Sequence, residues 1–217
     1  MIRGQSPQFP YLIGIVGGSA SGKTTLIKEL AARFSMEQLC VISQDHYYHP
    51  LHLQARDEQG EVNFDLPTSL DRQRCLADLR SLIEGRPVRI REYTFNRPDA
   101  EPEEHILEPA PVIIMEGLFV FHYREIAEML DLRIFIDAPQ DLMLSRRIER
   151  DYRERGYPEE VVRYQWDHHV APAYKAYLEP YRDSSDLIIT NIHGFERALN
   201  VIASHIENIL SWKTVSA

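Results

Sequence analysis

The sequence predicts an α/β fold in which helices flank both faces of a parallel sheet. Short, nearly continuous apolar runs, typical of strands buried on both faces, alternate along the chain with longer amphipathic segments. A glycine-rich stretch follows the first apolar run and precedes the first amphipathic segment, which is the order in which phosphate-binding loops occur. Together these observations indicate a doubly wound sheet with a P-loop after its first strand.

The strands of this sheet are predicted at five apolar runs. They are residues 11–16, 39–43, 112–115, 132–136 and 187–190. Four segments with apolar residues on one helical face are the predicted helices. They are residues 24–34, 70–84, 139–155 and 195–210. Gly85 and Gly156 follow the second and third of these segments, where glycine commonly caps a helix C-terminus.

Residues 88–108 depart from this alternation. The segments 88–95 and 105–107 predict a small β-hairpin insertion that stands off the sheet. The chain has 217 residues and a mass of 25.3 kDa, which is below the size at which a single core stops growing. We therefore expect one P-loop domain over residues 1–217.

The composition excludes several classes of protein. A chain that is 44% hydrophobic and 26% charged is neither fibrous nor wholly disordered. Its formal net charge of −9 has the wrong sign for holding long nucleic acid. No segment resembles a signal peptide or a membrane span, and Cys40 and Cys75 lie in apolar contexts typical of reduced core residues. We expect a cytoplasmic protein without a membrane partner.

The strongest functional signal is the segment GGSASGKT at residues 17–24, which fits G-x-x-x-x-G-K-[ST]. Glycines there let backbone N–H groups surround phosphates, and the helix N-terminus adds partial positive charge. Lys23 would reach the outer phosphates of ATP, and the Thr24 hydroxyl would ligate Mg²⁺. A chance match on a glycine-rich turn is the alternative. The predicted ATP-binding residues of this loop are Gly17, Gly18, Ser19, Ala20, Ser21, Gly22, Lys23, Thr24 and Thr25.

Two acidic residues come directly after apolar runs. Glu116 follows residues 112–115, where the second metal-holding acid of a P-loop protein is expected, although a solvent-facing strand end is the alternative. Asp45 follows the second predicted strand, at the sheet edge where open α/β sheets gather their ligands. Position alone leaves Asp45 open as a catalytic residue, a turn residue or a helix cap.

An excess of arginine marks the third predicted helix. The segment 146–155 holds five arginines against three acids, and it ends at Gly156. Arginine binds phosphate through bidentate contacts, so residues 146–158 are a candidate lid over the phosphates. The alternative is an ordinary solvated helix with i,i+4 ion pairs. Further along, His168 and His169 are interpreted as helix surface.

Several separate motifs occur in an order that points to a known family. With the P-loop they are Ser43-Gln44-Asp45, Asn63-Phe64-Asp65, Tyr93-Thr94-Phe95, Glu116-Gly117 and Ser145-Arg146-Arg147. In these the chain resembles the uridine–cytidine kinases of the wider phosphoribulokinase/uridine kinase family. The resemblance extends from about residue 12 to residue 191, and it implies the P-loop kinase fold and a homotetramer.

The resemblance also implies roles for individual residues. Asp45 would take the proton from the nucleoside 5′-hydroxyl, and Lys23 would act beside it in catalysis. The residues implied to hold the ribose hydroxyls are Asp65, Arg147 and Gln165. Those implied to line the nucleoside pocket are Tyr48, Tyr93 and Phe95. Those implied to serve ATP and Mg²⁺ are Lys23, Thr24, Glu116 and Arg150.

Two positions depart from the family's pattern. Where the family carries a histidine that hydrogen-bonds the pyrimidine edge, three residues after Phe95, this chain has Pro98. Where the lid of the family carries an arginine after the Arg155-Gly156 pair, this chain has Tyr157. Since proline has no side-chain donor, the resemblance does not carry over base recognition.

The sequence therefore predicts an ATP- and Mg²⁺-dependent kinase that phosphorylates a nucleoside 5′-hydroxyl, above all that of uridine or cytidine, as in pyrimidine salvage. Two alternatives stay open: a kinase of another small hydroxyl compound, such as a sugar phosphate or a pantothenate-like acid, and a regulatory nucleotide-binding module. Residues 190–193 read TNIH rather than the N-K-x-D of guanine-binding switches. Mere binding of ATP would not require an acid at Asp45.

Overall fold

The computed structural model describes residues 9–94 and 101–216, with side chains as far as residue 213. Its strands are β1 (Tyr11–Gly17), β2 (Leu39–Ser43), β3 (Val88–Arg91), β4 (Glu104–Leu107), β5 (Val112–Glu116), β6 (Leu132–Asp137) and β7 (Leu187–Thr190). Five of them form one parallel sheet in the order β2-β5-β1-β6-β7. The predicted fold class and all five predicted strands of the sheet are confirmed.

Three strands run one residue beyond their predicted ends, because that residue still pairs with a neighbouring strand. The added residues are Gly17, Glu116 and Asp137. Gly17 pairs with Ile136, Asp137 with Thr190, and Glu116 with both Ile15 and Ser43. Since the strands are parallel, these carboxyl ends meet at one edge of the sheet, where such sheets bind ligands.

Helices cover both faces of the sheet. They are α1 (Lys23–Ala31), α2 (Arg72–Ile83), α3 (Arg124–Ala127), α4 (Gln140–Arg155), α5 (Glu159–Gln165), α6 (Ala171–Ala173), α7 (Glu179–Arg182) and α8 (Glu196–Ser216). Short 3₁₀ turns lie at Gln44–Tyr47, Leu51–Leu53 and Pro67–Ser69. Two π-helical turns, Trp166–Val170 and Tyr174–Leu178, join α5, α6 and α7 into one run, residues 159–182, which we call the helical arm.

The four predicted helices are present with shifted ends. Helix α2 begins after Asp71, because the Asp71 carboxylate accepts a hydrogen bond from the Arg74 backbone N–H at 2.9 Å and so caps the helix. It ends just before Gly85, and α4 ends at Gly156, both in the left-handed conformation that glycine adopts without strain. The sequence places His168 and His169 on a helix but predicts no bounds for the helical arm. Pro172 and Pro180 interrupt its pattern, although each of them lies one residue after a helix start.

The core consists of two apolar layers, one on each face of the sheet. Helices α1 and α8 pack on one face, with Leu26, Leu30, Ile202 and Ile206 against the strands. Helix α2, the chain after β5 and the helical arm cover the other face. Their core residues there are Cys75, Leu79, Leu82, Phe119, Tyr123, Trp166 and Tyr174. Both cysteines are buried and free, as predicted.

The predicted hairpin is also present. Strands β3 and β4 pair antiparallel as a separate two-stranded sheet, with Val88 and Ile90 facing the core and Ile106 exposed. Phe95 and Pro98, which the sequence assigns to this hairpin, lie outside the described residues. Across the described part of the chain, none of the helices is both long and apolar enough to cross a membrane.

Candidate active site

The P-loop wraps from the end of β1 to the start of α1. Gly22 caps α1 with a positive φ of 105°, and a Cβ at this position would overlap the side-chain amide of Asn191. Ala20 adopts a left-handed φ of 62° in the same loop. Such a turn directs successive backbone N–H groups toward one point, next to the N–H groups of the first helical turn. The loop can therefore bind an anion.

Lys23 folds back over this loop. Its ammonium group donates hydrogen bonds to the carbonyl oxygens of Gly17 at 2.8 Å and Gly18 at 3.2 Å. Burial lowers the pKa of Lys23, although the negative charges of Glu116 and Asp45 raise it. A phosphate placed in the loop would strengthen the charged form further, because an adjacent anion favours the ammonium ion.

Asn191 holds the loop from the far side. Its side-chain amide donates to the Ser21 backbone carbonyl oxygen at 2.8 Å, and its backbone carbonyl oxygen accepts from the Arg146 guanidinium at 3.1 Å. The residue is 5% exposed and follows β7 directly. Sequence reasoning missed this role, since a lone asparagine after a strand carries no motif. Arg146, one of the five arginines, thereby ties α4 to the end of β7.

An acidic edge lies beside the P-loop. Glu116 is 8% exposed, and the Ser43 hydroxyl donates to its carboxylate. Burial and the nearby charge of Asp45 raise the pKa of Glu116 to about 7, against the opposing influence of Lys23 and the Ser43 hydrogen bond. The alternative of a solvent-facing strand end is therefore wrong for Glu116.

Asp45 lies at the start of the 3₁₀ turn after β2, and its side chain is exposed. The cap of this turn is Ser43, whose hydroxyl accepts from the Asp45 backbone N–H at 3.2 Å. The Asp45 carboxylate is close enough to Lys23 and Glu116 to raise the pKa of both. The position thus combines solvent access with proximity to the P-loop.

Three arginines of α4 converge on one buried carboxylate. Asp151 is fully buried and forms ion pairs with Arg147 at 3.2 Å, Arg150 at 2.8 Å and Arg155 at 3.6 Å. Burial and the neighbouring Arg150 lower the pKa of Arg155. An ordinary solvated helix does not describe these residues, although it does describe the exposed pair of Arg153 with the residue that follows it. Three cations against one acid leave a local positive excess.

Arg147 connects this cluster to the P-loop. Its guanidinium donates to the Ser19 hydroxyl at 2.9 Å and to the Gln165 side-chain oxygen at 3.2 Å. Asp65 lies nearby and is 8% exposed. Burial raises the pKa of Asp65, and Arg147 is the strongest of the charges that oppose this. The structure therefore brings Asp65, Arg147 and Gln165 together, as the resemblance implies.

An aromatic cluster borders these polar residues. The ring of Tyr48 lies 5.6 Å from that of Phe64 and 5.4 Å from that of Tyr93, and the last two rings are 6.1 Å apart. Burial is the main cause that raises the pKa of Tyr93, and Tyr157 lies close enough to raise it further. Phe64 belongs to a motif that the sequence shows, but its place beside Tyr48 is a finding of the structure.

The interpretation of His169 as helix surface is wrong. His169 is 3% exposed, and its Nε2 lies 2.7 Å from an oxygen of Asp57. The cause is the π-helical turn, in which the Ala171 backbone N–H bonds to the carbonyl of Trp166 five residues before it. The extra residue changes which side chains face the core. His168 is exposed as expected and stacks on Tyr164 at 4.2 Å.

Comparison with known proteins identifies the family. The model of the phosphoribulokinase/uridine kinase family matches residues 12–195. The chain belongs to this family. It is 35% identical to uridine-cytidine kinase B of Dictyostelium discoideum over 204 residues, which cover 94% of this chain and 84% of that protein. It is also 35% identical to a uridine kinase of Brevibacillus brevis over 202 residues, covering 93% and 94% of the two chains.

Two kinases of known structure share the fold. The phosphoribulokinase of Rhodobacter spheroides superposes with a TM-score of 0.63 at 20% identity, covering 85% of this chain and 71% of that one. The D-glycerate 3-kinase of Cryptococcus neoformans superposes with a TM-score of 0.57 at 16% identity, covering 84% and 86%. At these identities the likeness shows the fold alone.

The raised pKa of Glu116 predicts that the free energy of unfolding of this protein falls as the pH rises and Glu116 loses its proton. The folded chain binds the Glu116 proton more tightly than the unfolded chain does, so the associated stability is present below about pH 4.5 and is lost as pH rises through about 7. In metal-free buffer, Glu116→Gln should gain stability relative to wild type by about 2–4 kcal/mol between pH 5 and pH 9, because each pKa unit corresponds to about 1.4 kcal/mol. Urea unfolding at both pH values measures the difference.

Glu37→Gln is the matched control, because Glu37 is exposed. Its stability relative to wild type should stay nearly constant between the two pH values. A difference between Glu116→Gln and wild type that also stays constant would contradict the buried position of Glu116.

Proposed function

We propose that this chain is an ATP- and Mg²⁺-dependent kinase that phosphorylates the 5′-hydroxyl of a pyrimidine nucleoside, uridine or cytidine, in pyrimidine salvage. The observation that carries the proposal is the meeting of Lys23, Glu116 and Asp45 at one sheet edge. The relatives named uridine kinase and uridine-cytidine kinase support the choice of acceptor. We also propose a cytoplasmic location, which the two buried free cysteines support, and a homotetramer, on the strength of the family resemblance.

The residues present suit Mg²⁺. This cation prefers a few oxygen ligands from protein together with phosphate oxygens and water. The exposed Thr24 hydroxyl at the start of α1 and the Glu116 carboxylate supply two such oxygens beside the P-loop. When bound, Mg²⁺ would neutralise charge on the outer phosphates of ATP.

The P-loop and Arg150 would bind the phosphates of ATP. Lys23 would exchange its bonds to the Gly17 and Gly18 carbonyl oxygens for bonds to phosphate oxygens. Arg150 lies on the adjacent helix, already oriented by Asp151. Because the transferring phosphoryl group spreads negative charge over its oxygens, positioned cations stabilise it without reorganising.

Asp45 would act as the general base. The nucleoside 5′-oxygen forms its bond to the terminal phosphorus as the bond from that phosphorus to the ADP oxygen breaks, and the proton of the 5′-hydroxyl passes to the Asp45 carboxylate. The exposure of Asp45 allows the proton to leave to solvent after product release.

The nucleoside would lie between the aromatic cluster and the polar residues beside it. Tyr48, Phe64 and Tyr93 offer ring faces and edges for the base. The Asp65 carboxylate and the side chains of Arg147 and Gln165 would bind the ribose hydroxyls. A buried polar group of the protein that is left without its partner costs about 1–3 kcal/mol. A deoxyribose, which lacks one of these hydroxyls, should therefore bind less well.

A panel of acceptors tests the proposal. ATP consumption should be fast with uridine and cytidine, and their kcat/KM values should differ by less than about a hundredfold, because a largely apolar pocket discriminates no better. A purine nucleoside, a sugar phosphate and pantothenate should be poor acceptors. Lys23→Ala is the inactive control, with kcat lowered at least about a hundredfold. Slow reaction with both pyrimidine nucleosides beside fast reaction with another acceptor would overturn the assignment.

Substitution of the base tests the mechanism. Asp45→Asn keeps the size of the side chain but cannot accept the proton, so kcat should fall by about 10²–10⁴-fold while the affinity for nucleoside changes much less. Steady-state kinetics and equilibrium binding of uridine measure the two quantities. If affinity collapses while kcat survives, Asp45 binds substrate and another group is the base.

A further inference from the structure

The carboxylate of Asp57 organises the loop that precedes Asp65. Its Oδ1 accepts hydrogen bonds from the backbone N–H groups of Gln59 and Glu61, each at 2.9 Å. The Asp57 backbone N–H in turn donates to the Glu61 carbonyl oxygen at 2.9 Å. Residues 55–63 therefore form a closed loop, which we call the Asp57 loop.

The other oxygen of the same carboxylate reaches the helical arm. Asp57 Oδ2 accepts from the Tyr164 hydroxyl at 2.8 Å and pairs with His169 Nε2 at 2.7 Å. Burial would raise the pKa of Asp57, but these hydrogen bonds and those from its own loop lower it to about 2. Because the ionised carboxylate can only accept, His169 Nε2 must carry the hydrogen of this bond.

This tie joins the two sides of the candidate nucleoside pocket. The Asp57 loop continues directly into Phe64 of the aromatic cluster and into Asp65. The helical arm carries Gln165, whose side chain accepts from Arg147. His169 itself lies close enough to Asp65 to lower its pKa. The carboxylate of Asp57 thus sets the separation between the residues proposed to hold the ribose and base.

We propose that Asp57, Tyr164 and His169 are positioning residues for the nucleoside site, acting through Phe64 and Asp65. The proposal rests on the proposed function. Two charge-assisted hydrogen bonds, one from a buried imidazole ring and one from a phenol, hold the Asp57 loop against the helical arm. A preorganised loop lowers the ordering cost that a substrate must meet on binding.

The test replaces the ring nitrogen and then restores a donor. His169→Phe keeps a ring of similar size but removes the N–H, so the KM for uridine should rise about tenfold, with kcat and the KM for ATP within about threefold of wild type. His169→Gln can place an amide N–H near the position of Nε2, and it should return the uridine KM to within about threefold of wild type. The control variant is His168→Phe, at the exposed histidine that precedes His169.

The split between the two KM values separates positioning from a merely structural role. If His169→Phe lowers the melting temperature or the fraction of active enzyme but leaves the uridine KM unchanged, the proposal is overturned. Should that variant not fold, Tyr164→Phe removes one hydroxyl only. It should raise the uridine KM at least about fivefold, and a uridine KM within about threefold of wild type there overturns the proposal equally.

Hydrogen exchange keeps this test apart from that of the proposed function. If wild type fails to phosphorylate pyrimidine nucleosides, the acceptor panel shows it independently. Exchange in residues 55–65 of the free protein should be at least about tenfold faster in Tyr164→Phe or His169→Phe than in wild type or His169→Gln. Equal protection in all four proteins would mean that the tie does not order the loop.

Discussion

Parallel strand pairing at one sheet edge is the constraint on which the candidate site depends. The register that sets Glu116 beside Ser43 on one side and Ile15 on the other brings the ends of β2 and β5 level, with the end of β1 two residues further along at the same sheet edge. The P-loop follows β1, the turn that carries Asp45 follows β2, and Glu116 is the last residue of β5. A shift of one residue in β5 would turn the Glu116 side chain to the opposite face of the sheet. The P-loop, the proposed metal-binding acid and the proposed base therefore share one structural origin.

The second feature of the site is charge that the protein balances only in part. Asp151 is fully buried and pairs with three arginines, while the Lys23 ammonium group donates to backbone carbonyl oxygens of the P-loop. Burying charge is costly unless partners compensate it, so such an arrangement favours a bound polyanion. The acids on the other side of the loop limit that excess, and the raised pKa of Glu116 reflects the same crowding. The chain belongs to a family of kinases, for which ATP is such a polyanion, and this agrees with the positive charge around the P-loop.

What the sequence predicts and what it misses follow from the range of the interactions involved. The five strands, the P-loop and the acid after β5 are encoded in consecutive residues, so hydrophobic runs and one motif suffice to find them. The interactions of Asn191 and His169 depend on tertiary contacts between distant segments, and no local pattern predicts them. The ion pairs of Asp151 with Arg147 and Arg155 are i,i+4 pairs within α4, and only the burial of Asp151 depends on tertiary packing. His169 is the clearest case, because two consecutive histidines resemble a polar helix face until the π-helical turn directs one inward. The roles of Tyr48 and Tyr93 came from family resemblance, whereas the place of Phe64 beside them required the structure.

The most direct test of the account is to determine which oxygen of uridine receives the phosphoryl group from ATP. Phosphorus–proton coupling in the nuclear magnetic resonance spectrum of the product distinguishes a 5′-phosphate from 2′- and 3′-phosphates. With the ribose hydroxyls at Asp65 and the 5′-hydroxyl at Asp45, the account predicts the 5′-monophosphate as the sole nucleotide product. Phosphate on the 2′- or 3′-oxygen, or no uridine nucleotide at all from an enzyme that is active on another acceptor, would contradict it.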